Sequence, residues 1–263
     1  MSALAERTVP EAGARHHTIG GVPQGQDARL IAELARKAGG RGLLHVASDD
    51  ARLPALEGAL AFFAPDLPVV VLPPWDCLPY DRVSPNPETV AERVDALTRL
   101  LAPRKPDQPF IVLTTIGAAM QRVPPRASFA EASLSVAPGD RIDLEALQGF
   151  LARNGYVRAQ TVREPGEFAS RGGIVDLFPP GMAEPLRLDL FGDELEKIRR
   201  FDPMSQRTTG EVERITLKPM GEVFLDQASI ARFRSGYREL FGAINDDDPL
   251  YEAVSAGRKQ AGM

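Results

Sequence analysis

The sequence has a single cysteine, Cys77, so no disulfide can form within the chain and nothing in it points to an oxidising compartment. Histidine is almost as scarce. His16 and His17 adjoin near the N-terminus, and His45 sits inside an apolar stretch where a packed imidazole is the expected state. Neither they nor Cys77 offer metal-ligand spacing, so no metal or other cofactor is expected. Positive charge is not in excess: 31 Lys and Arg stand against 36 Asp and Glu, a net charge of −5. That disfavours a dominantly electrostatic nucleic-acid binder and leaves only local, non-specific DNA binding as a charge-driven role. No apolar run approaches the roughly 20 residues of a membrane span. The opening MSALAERTVPEAGARHHT lacks the apolar centre of a signal peptide, and the chain is expected to be cytoplasmic. A serine nucleophile lacks its G-x-S-x-G setting, and Glu167, Asp176 and Asp193 form no local acid–base pattern. The chain therefore offers no catalytic constellation.

What is present is an ordinary globular composition, 43% hydrophobic and 25% charged, with 23 prolines placed between elements. Residues 26–38 carry Leu30, Ile31, Leu34 and Ala38 at helical spacing, and Gly39-Gly40 stops them. The stretch 42-GLLHVAS-48 reads as a buried strand, 51–63 as a helix, 69-VVVL-72 as a second strand and 110-FIVLTT-115 as a third. Continuous apolar runs separated by helices predict a parallel α/β sheet of the RecA or Rossmann type. Between the second and third strands lies a proline-punctuated loop, 73-PPWDCLPYDRVSPNP-87. It ends in a helix start, with Asn86 as N-cap and Pro87 at the first helical position, and that helix buries Val90, Val94, Leu97 and Leu101. After Pro125 the character changes: a helix over 144–153, three or four strands over 156–217, then a helix over 226–241 ahead of the acidic run 246-DDD-248. This second part reads as a small α+β domain.

Three local patterns bear on function. In 20-GGVPQGQDARLIAELA-35, Gly20 and Gly25 have the spacing of a phosphate-binding loop, G-x-x-x-x-G-K-[ST], but Gln26 and Asp27 stand where Lys and Ser/Thr belong. Gln26 supplies no positive charge, Asp27 sets a carboxylate where phosphate would sit, and Pro23 removes a donor. The plainer reading is a turn before a helix. On either reading the stretch does not support ATP hydrolysis. The loop holding Trp75, Leu78, Pro79 and Tyr80 fits a packed Ω-type loop better than a binding loop. In 185-PLRLDLF-191, Leu186, Leu188 and Leu190 face one way and Arg187, Asp189 and Phe191 the other. That second face suits either a protein interface, where Arg and aromatics dominate, or the packing of a helix of the same domain.

Three stretches taken together, 72-LPPWDCLPYDRVSPNPETVAERVDALTRL-100, 164-EPGEFASRGGIVDLFPPG-181 and 185-PLRLDLFGDELEKIRRFDPMSQRT-208, resemble the N-terminal part of the bacterial transcription-repair coupling factor family, Mfd. The resemblance runs from about Thr18 through almost the whole chain. It implies a copy of domains 1A, 2 and 1B of the excision-nuclease subunit UvrB. These would be a mobile tail at 1–17, a degenerate helicase-like domain 1A at 18–127, domain 2 at 128–213 and a truncated domain 1B at 214–263. Domain 1A of the family keeps the motor-domain shape without its nucleotide site. Domain 2 recruits the damage-recognition ATPase UvrA through a sheet face on which two arginines and an aromatic match Arg171, Arg187 and Phe191. Gly192 departs from the pattern, since the family often carries an acidic residue there. The resemblance further implies that contacts with RNA polymerase and DNA belong to regions outside this chain. It also implies that a C-terminal domain masks domain 2 in the intact protein, and that this piece does not translocate. An active helicase fragment, or UvrB itself, is the alternative; the missing Lys at Gln26 and the lack of an aromatic-rich hairpin after Tyr80 speak against it.

Overall fold

The computed structural model describes residues 16–78, 83–242 and 248–258. The expected tail up to residue 15, Pro79 and Tyr80, and Asp246 and Asp247 lie outside the described residues. In chain order the elements are α1 (Gln26–Ala38), β1 (Leu43–Ala47), α2 (Arg52–Phe63), β2 (Val69–Leu72), α3 (Pro87–Leu101), β3 (Ile111–Thr115), α4 (Ile116–Ala119), α5 (Arg126–Glu131), β4 (Leu134–Val136) and α6 (Leu144–Arg153). There follow β5 (Val157–Arg158), β6 (Glu167–Arg171), β7 (Ile174–Leu177), β8 (Leu186–Phe191), β9 (Glu194–Phe201), β10 (Thr208–Glu211), β11 (Ile215–Leu217), α7 (Gln227–Phe241) and α8 (Pro249–Ser255). Backbone contacts divide the described residues into two compact units. One takes residues up to Pro74 together with Ala102–Gln121, the other Trp75–Leu101 together with residues from Arg122 onward. This grouping by contact cuts across the three-domain division expected from the resemblance, because α3 belongs to the second unit.

The first unit is the expected parallel sheet, in the order β1-β3-β2. The central strand β3 is buried along its whole length, as its unbroken apolar run requires. The face of α1 turned to the core is Ala28, Ile31, Ala32 and Ala35, packed with Leu53, Leu56 and Leu60 of α2 and with Ile111 and Leu113. The leucine-led stripe expected over 30–38 is thus rotated: Leu30 and Leu34 flank the contact, and small alanines form it. Helix and sheet can approach closely where the side chains between them are small.

The second unit holds a six-stranded sheet in the order β10-β9-β8-β7-β6-β5, antiparallel except for the short β5–β6 pair. Over 156–217, where three or four strands are expected, seven stand, β5 to β11: β5 is two residues long, β11 three, and 208-TTGE-211 carries no apolar alternation to announce β10. One sheet face, with Phe168, Val175, Leu177, Leu186, Leu188, Leu195 and Ile198, buries itself against Leu147 and Leu151 of α6. An Asp143 carboxylate starts α6 by accepting from the Ala146 N–H at 2.9 Å. Strand β11 pairs antiparallel with β4 and closes the edge of this core.

Helix α3 begins as expected: Asn86 Oδ1 accepts from the Glu88 N–H at 2.9 Å. It buries Val94 and Leu97, but also Arg93, which is 0% exposed. The Arg93 guanidinium lies 4.2 Å over the Trp75 ring and its Nε donates to Glu222 Oε1 at 2.6 Å. Trp75 is thus held against α3 rather than on the sheet, while Leu78 of the same loop is exposed. Among the described residues no helix is long and apolar enough to cross a membrane.

Candidate functional site

Strand pairing fixes which side chains share the open face of the six-stranded sheet. Arg171 pairs with Ile174, Ile174 with Asp189, and Asp189 with Lys197. The next rung reads Ala169, Asp176, Arg187, Arg199 and Glu211 across β6 to β10. Directly paired residues of an antiparallel sheet project to the same side. Arg171, Arg187 and Phe191 therefore stand on one face, opposite the leucines that fill the core. A register shift after Asp189 leaves Phe191 opposite Glu194, still on that face. From strand geometry, Arg171 lies two strand spacings, about 10 Å, from Asp189, and Arg187 lies about 13 Å along β8 from Phe191. All three fall within one patch of ordinary interface size.

Their surroundings differ. Phe191 is 76% exposed at the end of β8, with its ring turned to water. Arg171, also exposed, donates from Nη2 to the Gln160 carbonyl. Arg187 is held from beneath and beside: its guanidinium lies 4.8 Å over the Phe201 ring, and its Nε and Nη2 fork onto Asp176 Oδ1 and Oδ2 at 2.6 and 2.8 Å. The hydrogen-bonded Asp176 carboxylate raises the Arg187 pKa against the opposing effect of burial. One step along, Arg199 forks onto Asp189 at 2.7 Å to each oxygen, and the same cause raises its pKa. Arg187 and Arg199 are direct cross-strand neighbours, a repulsive placement that the two aspartates offset.

One end of this face is closed by a small second core of Val162, Ala169, Phe178 and Phe201. Gln206, with φ of 60°, secures that end by donating from Nε2 to the Val162 and Pro203 carbonyls at 3.1 and 2.7 Å. The S-Q-R-T segment is thus a structural clasp, and Arg187 stands at the border between the covered and open parts. Two turns present the open end. At Gly173 an added Cβ would lie 2.4 Å from the Leu190 carbonyl oxygen. Gly192 has φ of 66°, a backbone conformation that favours glycine. The strand alternation that sets Arg187, Asp189 and Phe191 on this face leaves Asp176 and Arg199 unannounced, since only strand register brings those two to it. Asp176 belongs to no local acid–base pattern in the sequence and gains its role only through Arg187. Glu167 serves its own turn, its Oε2 accepting from the Arg163 and Glu164 N–H groups at 2.7 and 3.0 Å, and Asp193 meets Arg141 at 3.4 Å on the exposed surface.

The glycine-spaced stretch at Gly20, Gly25, Gln26 and Asp27 has a different setting from the one its spacing suggested. A phosphate-binding loop joins a strand to the following helix. Residues 16–25 contain no strand, and α1 simply starts at Gln26 with Gly25 as its cap. The stretch is a turn before a helix, the plainer of the two readings. Asp27 lies inside the first turn rather than at the cap. Its Oδ1 accepts from the Gly25 and Ala28 N–H groups at 2.9 and 3.0 Å, while Oδ2 pairs with Arg52 of α2. A short strand–turn–helix passage does follow β1, through 48-SDDA-51 into α2. That turn has neither glycine nor lysine, and Asp49 Oδ1 accepts from the Arg52 N–H at 3.1 Å. His45, half-buried on β1, has its pKa lowered by burial, with Asp27 raising it and Arg52 lowering it further. Among the described residues no group of His, Cys, Asp and Glu could hold a metal ion.

The domain that carries this face belongs to a recognised class: residues 134–222, which span β4 to β11 and the segment that ends at Glu222, match the UvrB interaction domain. Along nearly its full length the chain is also similar to transcription-repair-coupling factors. It is 34% identical to that of Escherichia coli K12 over 97% of this chain and 22% of the relative. It is 34% identical to that of Haemophilus influenzae over 100% of this chain and 22% of the relative. With that of Myxococcus xanthus the identity is 36% over 77% of this chain and 17% of the relative. The chain is a UvrB-homology region of the transcription-repair-coupling factor family, Mfd. It spans about one fifth of the length of the curated relatives it matches.

Proposed function

We propose that this chain is a non-catalytic UvrB-like interaction module that recruits the excision-repair protein UvrA, through the open face of its six-stranded sheet, to damage at stalled RNA polymerase. One observation carries the reading: the three residues that the resemblance assigns to UvrA, Arg171, Arg187 and Phe191, lie on the one sheet face that the domain's own core leaves open, with Phe191 exposed. An exposed aromatic beside oriented arginines is the composition of an interface hot spot. Contacts with RNA polymerase and DNA, motor activity, and masking of this face by a C-terminal domain are assigned to parts of the relatives that this chain does not cover. The non-catalytic reading is supported by Gln26 and Asp27, which stand where a phosphate-binding loop needs Lys and Ser/Thr, and by 48-SDDA-51, where the Asp49 carboxylate meets the helix start.

Calorimetric titration of the chain with UvrA tests the proposal. Phe191→Ala and Arg187→Ala are each expected to weaken binding about thirtyfold, equivalent to roughly 2 kcal/mol, with circular dichroism unchanged. Wild-type binding that survives both substitutions would remove the site, and no wild-type binding would remove the function.

A further inference from the structure

Resting on the reading of this face as a UvrA-docking surface, we infer that Asp176 is its positioning residue. It presents the Arg187 guanidinium in one fixed plane before the partner arrives. Asp176 sits on β7 with its side chain 7% exposed, too deep to form a broad contact of its own. Both of its oxygens are committed to Arg187, at 2.6 and 2.8 Å, and the ring of Phe201 supports the guanidinium from below. A forked pair restricts the guanidinium far more than one hydrogen bond does, because rotation about any side-chain bond breaks at least one of the two contacts. The fork takes the Nε–Nη2 edge and leaves Nη1 uncommitted on a side chain that is 21% exposed. The group offered to the partner is therefore a single oriented nitrogen, suited to one carbonyl or carboxylate oxygen.

The pair also settles a local conflict. Arg187 and Arg199 are directly opposed across β8 and β9, and each needs its own carboxylate to stay in place. With Asp176 removed, Arg187 gains freedom and Asp189 becomes a second option for it. Such freedom must be surrendered on binding, so affinity falls although Asp176 itself makes no partner contact.

The test is a double-mutant cycle with UvrA as the probe, using wild type, Asp176→Asn, Arg187→Ala and the double variant, alongside Arg187→Lys. Asp176→Asn keeps the shape of the side chain but loses one acceptor and the charge. It is expected to weaken binding about tenfold in the wild-type background and not at all in the Arg187→Ala background. Arg187→Lys, which keeps charge without the fork, is expected to lose nearly as much as Arg187→Ala. A loss of equal size in both backgrounds would show a general structural effect and overturn the inference, as would full activity of Arg187→Lys. The same variants are examined without UvrA by nitrogen-15 NMR of the Arg187 guanidinium. A slowly rotating guanidinium in wild type that becomes mobile in Asp176→Asn is expected. Equal mobility in both overturns the inference whether or not UvrA binds, whereas failure of wild type to bind UvrA with the NMR result intact counts against the proposed function alone.

Discussion

The Arg93–Glu222 pair is the sharpest test of how the second unit holds together. Glu222→Gln removes the charge from a partner that is 8% exposed, while Arg93 stays at 0% exposure. Breaking a buried pair from one side costs about 3–5 kcal/mol, because the remaining charge stays out of water. One contact of the pair is short, Nε to Oε1 at 2.6 Å, and the other is long, Nη2 to Oε2 at 3.4 Å. The lower end, about 3 kcal/mol, is therefore expected. Trp75, 4.2 Å beneath the guanidinium, retains its cation–π contact in the variant and limits the loss further. For a cooperative unit of about 150–250 residues each kcal/mol moves Tm by about 2–4 °C, so a drop of about 6–12 °C is predicted. Differential scanning calorimetry of wild type, Glu222→Gln and the double change Arg93→Met/Glu222→Met measures it. The double variant is predicted to melt above the single one, since it removes the buried cation together with its Glu222 partner. A shift below about 2 °C in Glu222→Gln, or a double variant less stable than the single, would refute the reasoning.

Three further outcomes are expected. His45 is held below its ordinary pKa by burial, so the unfolded chain takes up its proton near pH 6.5 while the folded chain does so only at lower pH. The first unit therefore loses stability as pH falls below about 6.5. Thermal melts between pH 7.5 and 5.5 should be flatter in His45→Gln, and equal slopes would contradict the assignment. Gly173→Ala forces a methyl to within 2.4 Å of the Leu190 carbonyl oxygen, so the β7–β8 end should loosen and UvrA affinity fall with it; unchanged Tm and affinity would contradict this. Addition of 1 mM ATP with magnesium should leave Tm unchanged, whereas a site with Kd near 10 μM would add about 2.7 kcal/mol of stability and raise it visibly.

What was legible in the sequence was what depends on near neighbours. The alternation of 185-PLRLDLF-191 assigns leucines to the core and Arg187 and Phe191 to the open face, because side chains in a strand alternate with period two and nothing distant can change that. Asn86 and Pro87 mark the start of α3 for the same reason. The pairing of Asp176 with Arg187 spans 11 residues and depends on strand register, and that of Arg93 with Glu222 spans 129. No local pattern carries either. A buried arginine inside an otherwise apolar stripe is the only trace Arg93 leaves in the sequence. The glycine spacing at Gly20 and Gly25 left two readings open because a spacing does not say whether a strand precedes it; with none there, the stretch is the turn before a helix. Helix α3 was counted with the first domain by its position in the chain, while its contacts group it with the second unit.

The central claim, that the open sheet face is where UvrA docks, is tested most directly by hydrogen exchange of the chain with and without UvrA. Protection is predicted at the two hairpin ends, around Arg171–Ile174 and Asp189–Glu194, with α6 on the opposite face unchanged. Protection confined to α6 or to the first unit, with both hairpins exchanging freely, would contradict it.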